Sequence, residues 1–189
     1  MGLFGVNSSK SESQFFKIEN ILKFSKVSEI KLKPLRKIEY DANFSEFNKL
    51  IKNKKDALDK YFFVTNNGRW TGFVDEDILK TVSLKKWERN FVGDFKKPID
   101  SFESVSYHDK LWKTIERIEE TNEGFLLVLN SADIPLGIVD RSKSGTCVLN
   151  KLGFNLPSDI LNKLNFKNNY PLGIELPRII NSMKQKGDL

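Results

Sequence analysis

A segment of fifteen residues recurs later in the same chain. Residues 61–75 and residues 126–140 each carry an apolar run, a polar turn, a glycine, an apolar pair and an aspartate, and they align without a gap. The offset is constant at 65 residues, from Tyr61 to Leu126 and from Asp75 to Asp140. Recurrence at a fixed period indicates a duplicated structural unit. Duplication of this size predicts two halves related by a pseudo-two-fold axis, with a cleft between them where a ligand would bind.

The length, the cysteine content and the absence of long apolar stretches limit the class of protein. A chain of 189 residues can bury one core, or two small halves that share one. Its first uncharged stretch, residues 1–9, is much shorter than the roughly 20 apolar residues of a membrane span. The single Cys147 excludes an internal disulfide, and no secretory signal pattern is present. We therefore expect a soluble chain in a reducing, cytoplasmic setting.

The net charge of +6 raises the question of an anionic partner. The lysines are interleaved with acidic residues and form no block with aromatic residues between them. Surfaces that bind nucleic acid usually concentrate their basic residues on one face. A solvated surface is the preferred interpretation, with attraction to an anionic membrane and nucleic-acid binding as alternatives. No nucleic-acid partner is expected.

The hydrophobic pattern predicts the same order of elements in each copy: strand, helix, strand, strand, helix. A leading helix over residues 11–25 precedes the first copy, and Asn43 is a plausible cap for that copy's first helix. Asp75 would open its second helix. Beyond Gly153, a C-terminal extension begins at Pro157 with two short helical patterns. The predicted domains are 1–26, a leading segment and helix; 27–90, the first repeat; 91–153, the second repeat; and 154–189, the helical extension.

The order of elements and the motif after each hairpin resemble a tandem pair of cystathionine β-synthase-type (CBS) domains, also called a Bateman module. That family carries Gly-x-Val/Ile-Thr/Ser-x-x-Asp after its second strand, and residues 72–78 and 137–143 align with this motif. The resemblance covers residues 27 to about 152. It implies an α+β fold of two CBS-type β-α-β-β-α units related by pseudo-two-fold symmetry, with helical N- and C-terminal extensions.

The flanking segments resemble a narrower group, the cytoplasmic C-terminal region of bacterial site-2-type zinc metalloproteases. They are the leading helix with Phe15 and Phe16, the linker with Trp87 and Val92-Gly93-Asp94, and the segment 152–157. Residues 1–5 would then end a membrane helix, or be merely a chain start. The chain holds no His-Glu-x-x-His motif, and one histidine cannot build a zinc site of that kind. Zinc would belong to a catalytic part outside this segment.

The ligand motif departs from the family pattern in both copies. In that family the hydroxyl donates to a nucleotide phosphate, and the later aspartate accepts from the ribose. Here Asp75 and Asp140 hold the hydroxyl positions, while Ile78 and Lys143 hold the ribose positions. A carboxylate only accepts hydrogen bonds and repels a phosphate, so binding of AMP, ATP or S-adenosylmethionine in the usual pose is not expected. The candidate residues of the cleft are Gly72, Val74, Asp75, Asp77, Gly137, Val139 and Asp140.

Several of these side chains also have purely structural interpretations. Asp75 and Asp140 each follow a strand, where aspartate is a preferred helix N-cap; binding of a cation or of an amine-bearing ligand is the alternative. His108 before a helix indicates a surface or capping residue rather than a catalytic base. Cys147 on an apolar helical stripe indicates a buried thiol. The tryptophans, Trp70, Trp87 and Trp112, are expected as core or interface anchors.

Two main functions follow from the sequence. The first is a non-catalytic regulatory or assembly module, tethered to a membrane protease on the cytoplasmic side and paired with a second copy through its CBS helices. The second is a sensor of adenine nucleotides that uses the cleft between the repeats and shifts between two arrangements. A hydrolase has only His108 and scattered acidic residues in its favour, and nucleic-acid binding has only net charge.

Overall fold

Two three-stranded sheets organise the chain, each in a separate compact unit. The computed structural model describes residues 8–55 and 57–189. One unit contains the described residues up to Lys33 together with Glu103–Leu189, and the other contains Pro34–Phe102. Both units combine a mixed sheet with helices, so the predicted α+β class is confirmed.

The smaller unit, residues 34–102, is built around β1 (Lys37–Glu39), β2 (Tyr61–Asn66) and β3 (Arg69–Asp75). Strand β1 pairs with β2 in parallel, and β2 pairs with β3 antiparallel. Helix α2 (Phe44–Ile51) begins at the predicted cap, because the Asn43 side chain accepts from the Glu46 amide at 2.9 Å. The Glu46 carboxylate accepts in return from the Asn43 amide at 2.9 Å, which completes a capping box. Phe47 and Phe62 meet edge to face in the core, with ring centroids 5.0 Å apart.

The second helix of the first copy differs from the expectation. After Asp75 the chain forms a five-residue 3-10 helix, Glu76–Lys80, rather than an α-helix. The Thr81 amide donates to the Ile78 carbonyl at 3.0 Å, and the Thr81 hydroxyl donates to the same oxygen at 2.6 Å. Both hydrogen bonds join a residue to the carbonyl three positions before it, which is the spacing of a 3-10 helix. A side-chain hydroxyl that occupies such a carbonyl competes with the backbone amide that would continue an α-helix.

The larger unit contains β4 (Ser104–Ser106), β5 (Phe125–Leu129) and β6 (Pro135–Asp140) in the same arrangement. The predicted leading helix is α1 (Ser8–Phe24), and α3 (Leu111–Glu120) and α4 (Arg141–Lys151) are the helices of the second copy. The two helical patterns of the extension form α5 (Ser158–Lys167) and α6 (Leu176–Lys186). Helices α1, α3, α4 and α6 share one apolar core with β5 and β6.

The segment before each sheet pairs with the hairpin of the other copy. In the larger unit, the Lys33 amide donates to the Ile138 carbonyl and the Ile138 amide donates to the Lys33 carbonyl, both at 2.9 Å. In the smaller unit, Lys97 and Phe73 exchange the corresponding bonds, at 2.7 and 2.9 Å. Each third strand therefore gains an extra edge residue from a segment distant in sequence. The repeat limits 27–90 and 91–153 stay a prediction.

Two expectations concern membrane association. Within residues 8–55 and 57–189, no helix is both long enough and apolar enough to cross a bilayer. The predicted end of a membrane helix at residues 1–5 lies outside the described residues.

Candidate ligand site

The two aspartates at the ends of the third strands are helix caps, as predicted. Asp75 follows β3, and its Oδ1 accepts from the Asp77 amide at 3.0 Å. Asp140 follows β6, and its Oδ1 accepts from the Lys143 amide at 2.8 Å. Both side chains satisfy an amide that the first helical turn leaves without an intrahelical partner.

Asp140 is the more deeply buried of the two. Its side chain is 1% exposed, against 8% for Asp75, and its Oδ2 accepts no hydrogen bond from the residues that the structure describes. Burial raises the pKa of Asp140, while the Lys143 amide and the positive charges of Lys33 and Lys143 oppose that rise. Because the folded-state pKa lies above the ordinary 3.8, this group favours folding at low pH, and its contribution falls as the pH rises through the raised pKa.

A lysine from the edge segment faces each capping aspartate. In the smaller unit, Lys97 Nζ lies 2.7 Å from Asp75 Oδ2 and forms an ion pair. In the larger unit, the charge of Lys33 acts on Asp140. Each capping aspartate is therefore under the influence of a lysine charge from the edge segment. Lys97 is half-exposed, so its pair contributes at most about 1 kcal/mol.

The glycines of the motif lie beneath these edge segments. A Cβ on Gly72 would lie 2.5 Å from the Lys97 carbonyl oxygen. A Cβ on Gly137 would lie 2.8 Å from both the Lys33 carbonyl oxygen and Leu32 Cβ. Both contacts are far closer than packed atoms allow. Each glycine thus permits the edge segment to approach the third strand, and a ligand role for them stays a prediction.

The remaining candidates do not converge with the aspartates. Val74 and Val139 are fully buried in the cores of their units. The Asp77 carboxylate turns outward to Lys80, with Oδ1 2.6 Å from Nζ. The hydrogen bond from Lys80 lowers the pKa of Asp77.

The C-terminal extension covers the first turn of α4. Asn168 Oδ1 accepts from the Arg141 amide at 3.2 Å, while Asn168 Nδ2 donates to the Gly124 carbonyl at 2.9 Å. The Ser142 hydroxyl donates to Asn165 Oδ1 at 2.9 Å. Amides at a helix N-terminus are the usual anchors for a bound phosphate. In this chain the cap and the extension engage the Arg141 and Lys143 amides, so an anion would have to displace a side chain to reach either one.

A partly exposed polar cluster joins the extension to α3 and α4. The Arg141 guanidinium forms a bidentate contact with the Glu119 carboxylate, at 2.8 and 3.2 Å, and the Tyr170 hydroxyl donates to Glu119 at 2.8 Å. Burial and its hydrogen bond to Glu119 raise the pKa of Tyr170. Although burial alone would raise the pKa of Glu119, the hydrogen bonds from Arg141 and Tyr170 hold it below its usual value. Next to this cluster, Gly145 leaves no room for a Cβ, which would lie 2.3 Å from Pro171 Cδ.

The nucleophile candidates agree with their structural interpretations. His108 is exposed, and its Nε2 lies 3.4 Å from Ser131 Oγ. Within the described residues, no carboxylate is hydrogen-bonded to its ring. Cys147 is buried, its thiol lies 3.7 Å from the Glu29 carbonyl oxygen, and burial raises its pKa. A search of the described ranges finds no cluster of three or more His, Cys, Asp or Glu residues suited to a metal.

Comparison with known proteins identifies the fold. No family model matches the sequence, and no curated protein is similar to it. The CBS domain of a bacterial CNNM/CorC-family Mg2+ transporter in complex with ATP is similar, with a TM-score of 0.53 and 14% identity over 73% of this chain and 96% of that chain. A CBS domain-containing protein of unknown function from Bacillus anthracis str. Ames Ancestor has a TM-score of 0.50 and 14% identity, over 73% and 99%. The chain has the fold of a CBS-domain pair. At these identities the likeness extends to the fold alone.

Four residues around the motif were not predicted from the sequence. They are the lysines Lys33 and Lys97, and the asparagines of the extension. One signal was available, since a lysine lies just before a proline ahead of each sheet, at Lys33-Pro34 and Lys97-Pro98. No comparable pattern marks Asn165 or Asn168, because their contacts join residues 23 and 27 positions apart.

Proposed function

We propose that this CBS pair is a non-catalytic module for regulation or assembly. The observation that carries the proposal is the pair of capping aspartates, Asp75 and Asp140, at the positions where the resembled family has a phosphate-binding hydroxyl. Both carboxylates accept from the helix that follows, and Asp75 is ion-paired as well. Side chains committed to local structure leave the nucleotide phosphate without its usual donor.

The parent chain in this proposal is a membrane-embedded zinc metalloprotease of the site-2 type. The module would then lie on the cytoplasmic side of a bacterial membrane, and zinc would be held only in the catalytic part. Support comes from the flanking segments, which include helix α1 ahead of the pair. Reading the natural coding sequence upstream of residue 1 tests this parentage. An open reading frame with a His-Glu-x-x-His motif is expected, and a frame without one would overturn this part of the proposal.

Assembly in this proposal occurs between two copies through the CBS helices. Leu50 on α2 is 39% exposed, which makes it a position on a CBS helix where the proposed contact can be tested. Light scattering is expected to give twice the 21.8 kDa mass of one chain. Leu50→Glu should weaken the dimer at least about tenfold, which corresponds to about 1.4 kcal/mol.

Leu84→Glu is the matched control for the dimer, because Leu84 is 73% exposed on a 3-10 helix outside the CBS helices. It should leave the mass unchanged. A monomeric mass for the unmodified chain at high concentration would contradict the assembly proposal, as would an equal effect of the two substitutions.

Adenine-nucleotide sensing is the second candidate. It is favoured by the likeness to a CBS domain described in complex with ATP. Backbone groups and an apolar pocket would have to supply the binding, because neither aspartate offers a donor. This candidate predicts a ligand that binds two arrangements of the pair with different affinity.

A further inference from the structure

A groove within the larger unit is lined by more charged hydrogen-bond donors than acceptors. It lies between one face of α4, the segment around Glu29 and Lys31, and the start of the extension. Its volume is about 530 Å³, which lies in the range of small-molecule sites. The lining residues are Glu29, Lys31, Lys143, Thr146, Cys147, Asn150, Lys151, Asn155, Leu156 and Leu161.

One of the three lysines in this groove is held in an ion pair. Lys151 Nζ lies 2.7 Å from Glu29 Oε1, and this hydrogen bond, followed by one from the Lys26 amide, lowers the pKa of Glu29. The only carboxylate of the lining is therefore already engaged. Within the described part of the chain, Lys31 and Lys143 form no ion pair. They line the groove from different walls, Lys31 from the edge segment and Lys143 from α4.

A buried hydroxyl adds a further donor. Thr146 Oγ1 is shielded from solvent and has no hydrogen-bond partner among the described residues. A buried polar atom without a partner carries a cost of about 1–3 kcal/mol. Thr146 lines the groove, so a rotation of its side chain toward a bound ligand would satisfy the hydroxyl. Thr146 lies one turn of α4 after Lys143, which puts both side chains on the same helix face.

We propose that this groove binds a small polyanion through phosphate or carboxylate groups. The ammonium groups of Lys31 and Lys143 would bind its charges, and the Thr146 hydroxyl would donate to one of its oxygens. Charge-assisted bonds of this kind are the stronger class of hydrogen bond. Leu156 and Leu161 offer an apolar wall for the carbon part of a larger ligand. The site goes beyond the proposed function, since it requires neither the protease parent nor a nucleoside.

The chemistry is the reverse of what a ribose requires. A ribose presents hydroxyl donors that an aspartate accepts, whereas an ammonium only donates. Lys143 stands at the ribose position of the resembled motif, so this position selects for acceptor-rich anions.

Calorimetric titration of the full chain with pyrophosphate and, separately, with citrate tests the site. Saturable binding of at least one probe is expected at micromolar to millimolar concentrations, and it should weaken as salt is added. The two probes distinguish phosphate from carboxylate selectivity. Lys31→Ala and Lys143→Ala should each weaken binding about tenfold or more. Lys163→Ala on α5, outside this groove, is the matched control and should leave the affinity unchanged.

Thr146→Val separates a binding role from a structural one. The substitution removes the unpaired hydroxyl at nearly constant volume, so the thermal midpoint should stay the same or rise while probe affinity falls severalfold. A loss of affinity that accompanies a loss of stability would contradict the proposal. No saturable heat with either probe would overturn it, and so would equal effects of Lys143→Ala and Lys163→Ala.

Discussion

Replacing Gly137 with valine is expected to destabilise the larger unit by roughly 2–4 kcal/mol, the largest effect predicted for a single substitution in the motif. A Cβ at this position would meet the Lys33 carbonyl oxygen and Leu32 Cβ at 2.8 Å. Two hydrogen bonds between Lys33 and Ile138 hold that segment against β6, so it cannot retreat without breaking them. Overpacking and the loss of these hydrogen bonds both lower the stability of the larger unit.

Hydrogen exchange followed by mass spectrometry measures this loss of stability separately for each peptide of the chain. Peptides of β6 and of residues 27–33 should exchange much faster in Gly137→Val. Leu136→Val is the matched control, because Leu136 neighbours Gly137 on the same strand and is 41% exposed. Equal exchange in the two variants would show that the edge segment is not seated on β6 as described.

Replacing Gly145 with alanine is expected to release the C-terminal extension from α4. The new Cβ would lie 2.3 Å from Pro171 Cδ and 3.3 Å from Tyr170 Cδ1. Alanine favours the helix over glycine by roughly 0.5–1 kcal/mol, so α4 itself should persist and the extension should shift. That shift would separate Tyr170 from Glu119 and Asn168 from the Arg141 amide. The loss of these partly exposed contacts should cost about 1–3 kcal/mol in the opening of the extension.

Limited proteolysis and hydrogen exchange across residues 157–175 measure this release. Exchange there should rise by one to two orders of magnitude, which corresponds to about 1.4–2.7 kcal/mol. Asn150→Ala, an exposed change on the same helix, should leave the extension protected. Unchanged protection in Gly145→Ala would contradict the described contact with Pro171.

Local rules allowed much of this fold to be predicted from the sequence. The constant offset of the repeat predicted two equivalent sheets, and both hairpins follow the alternation of apolar run and turn. The Asn43 cap and the capping aspartates were also predicted, because an N-cap contacts only the next three residues. These features depend on neighbours in sequence, which is why a pattern reveals them.

The features that the sequence did not reveal depend on contacts between distant residues, or on competition between a side chain and the backbone for the same hydrogen-bond acceptor. Pairing of Lys33 with Ile138 joins positions 105 residues apart, and no local periodicity encodes it. After Asp75, the Thr81 hydroxyl donates to the Ile78 carbonyl at the end of the 3-10 turn, a local competition that the apolar pattern does not reveal. The cover over α4 depends on two asparagines that resemble ordinary surface residues in sequence. For the Lys33 pairing and the cover over α4, tertiary contacts decide between options that are close in local energy.

We infer that the motif residues Asp75 and Asp140 of this CBS-type fold serve structure rather than nucleotide binding. Calorimetry against AMP, ADP, ATP and S-adenosylmethionine, with and without magnesium, tests it most directly. The titrations should use both the unmodified chain and a Lys31→Ala/Lys143→Ala variant. Heat that disappears in the variant comes from phosphate bound in the groove beside α4, and not from nucleotide bound at the motif. We expect no saturable heat from any of the four ligands in the folded double variant. Saturable micromolar binding of an adenine nucleotide that persists in that variant would contradict the inference.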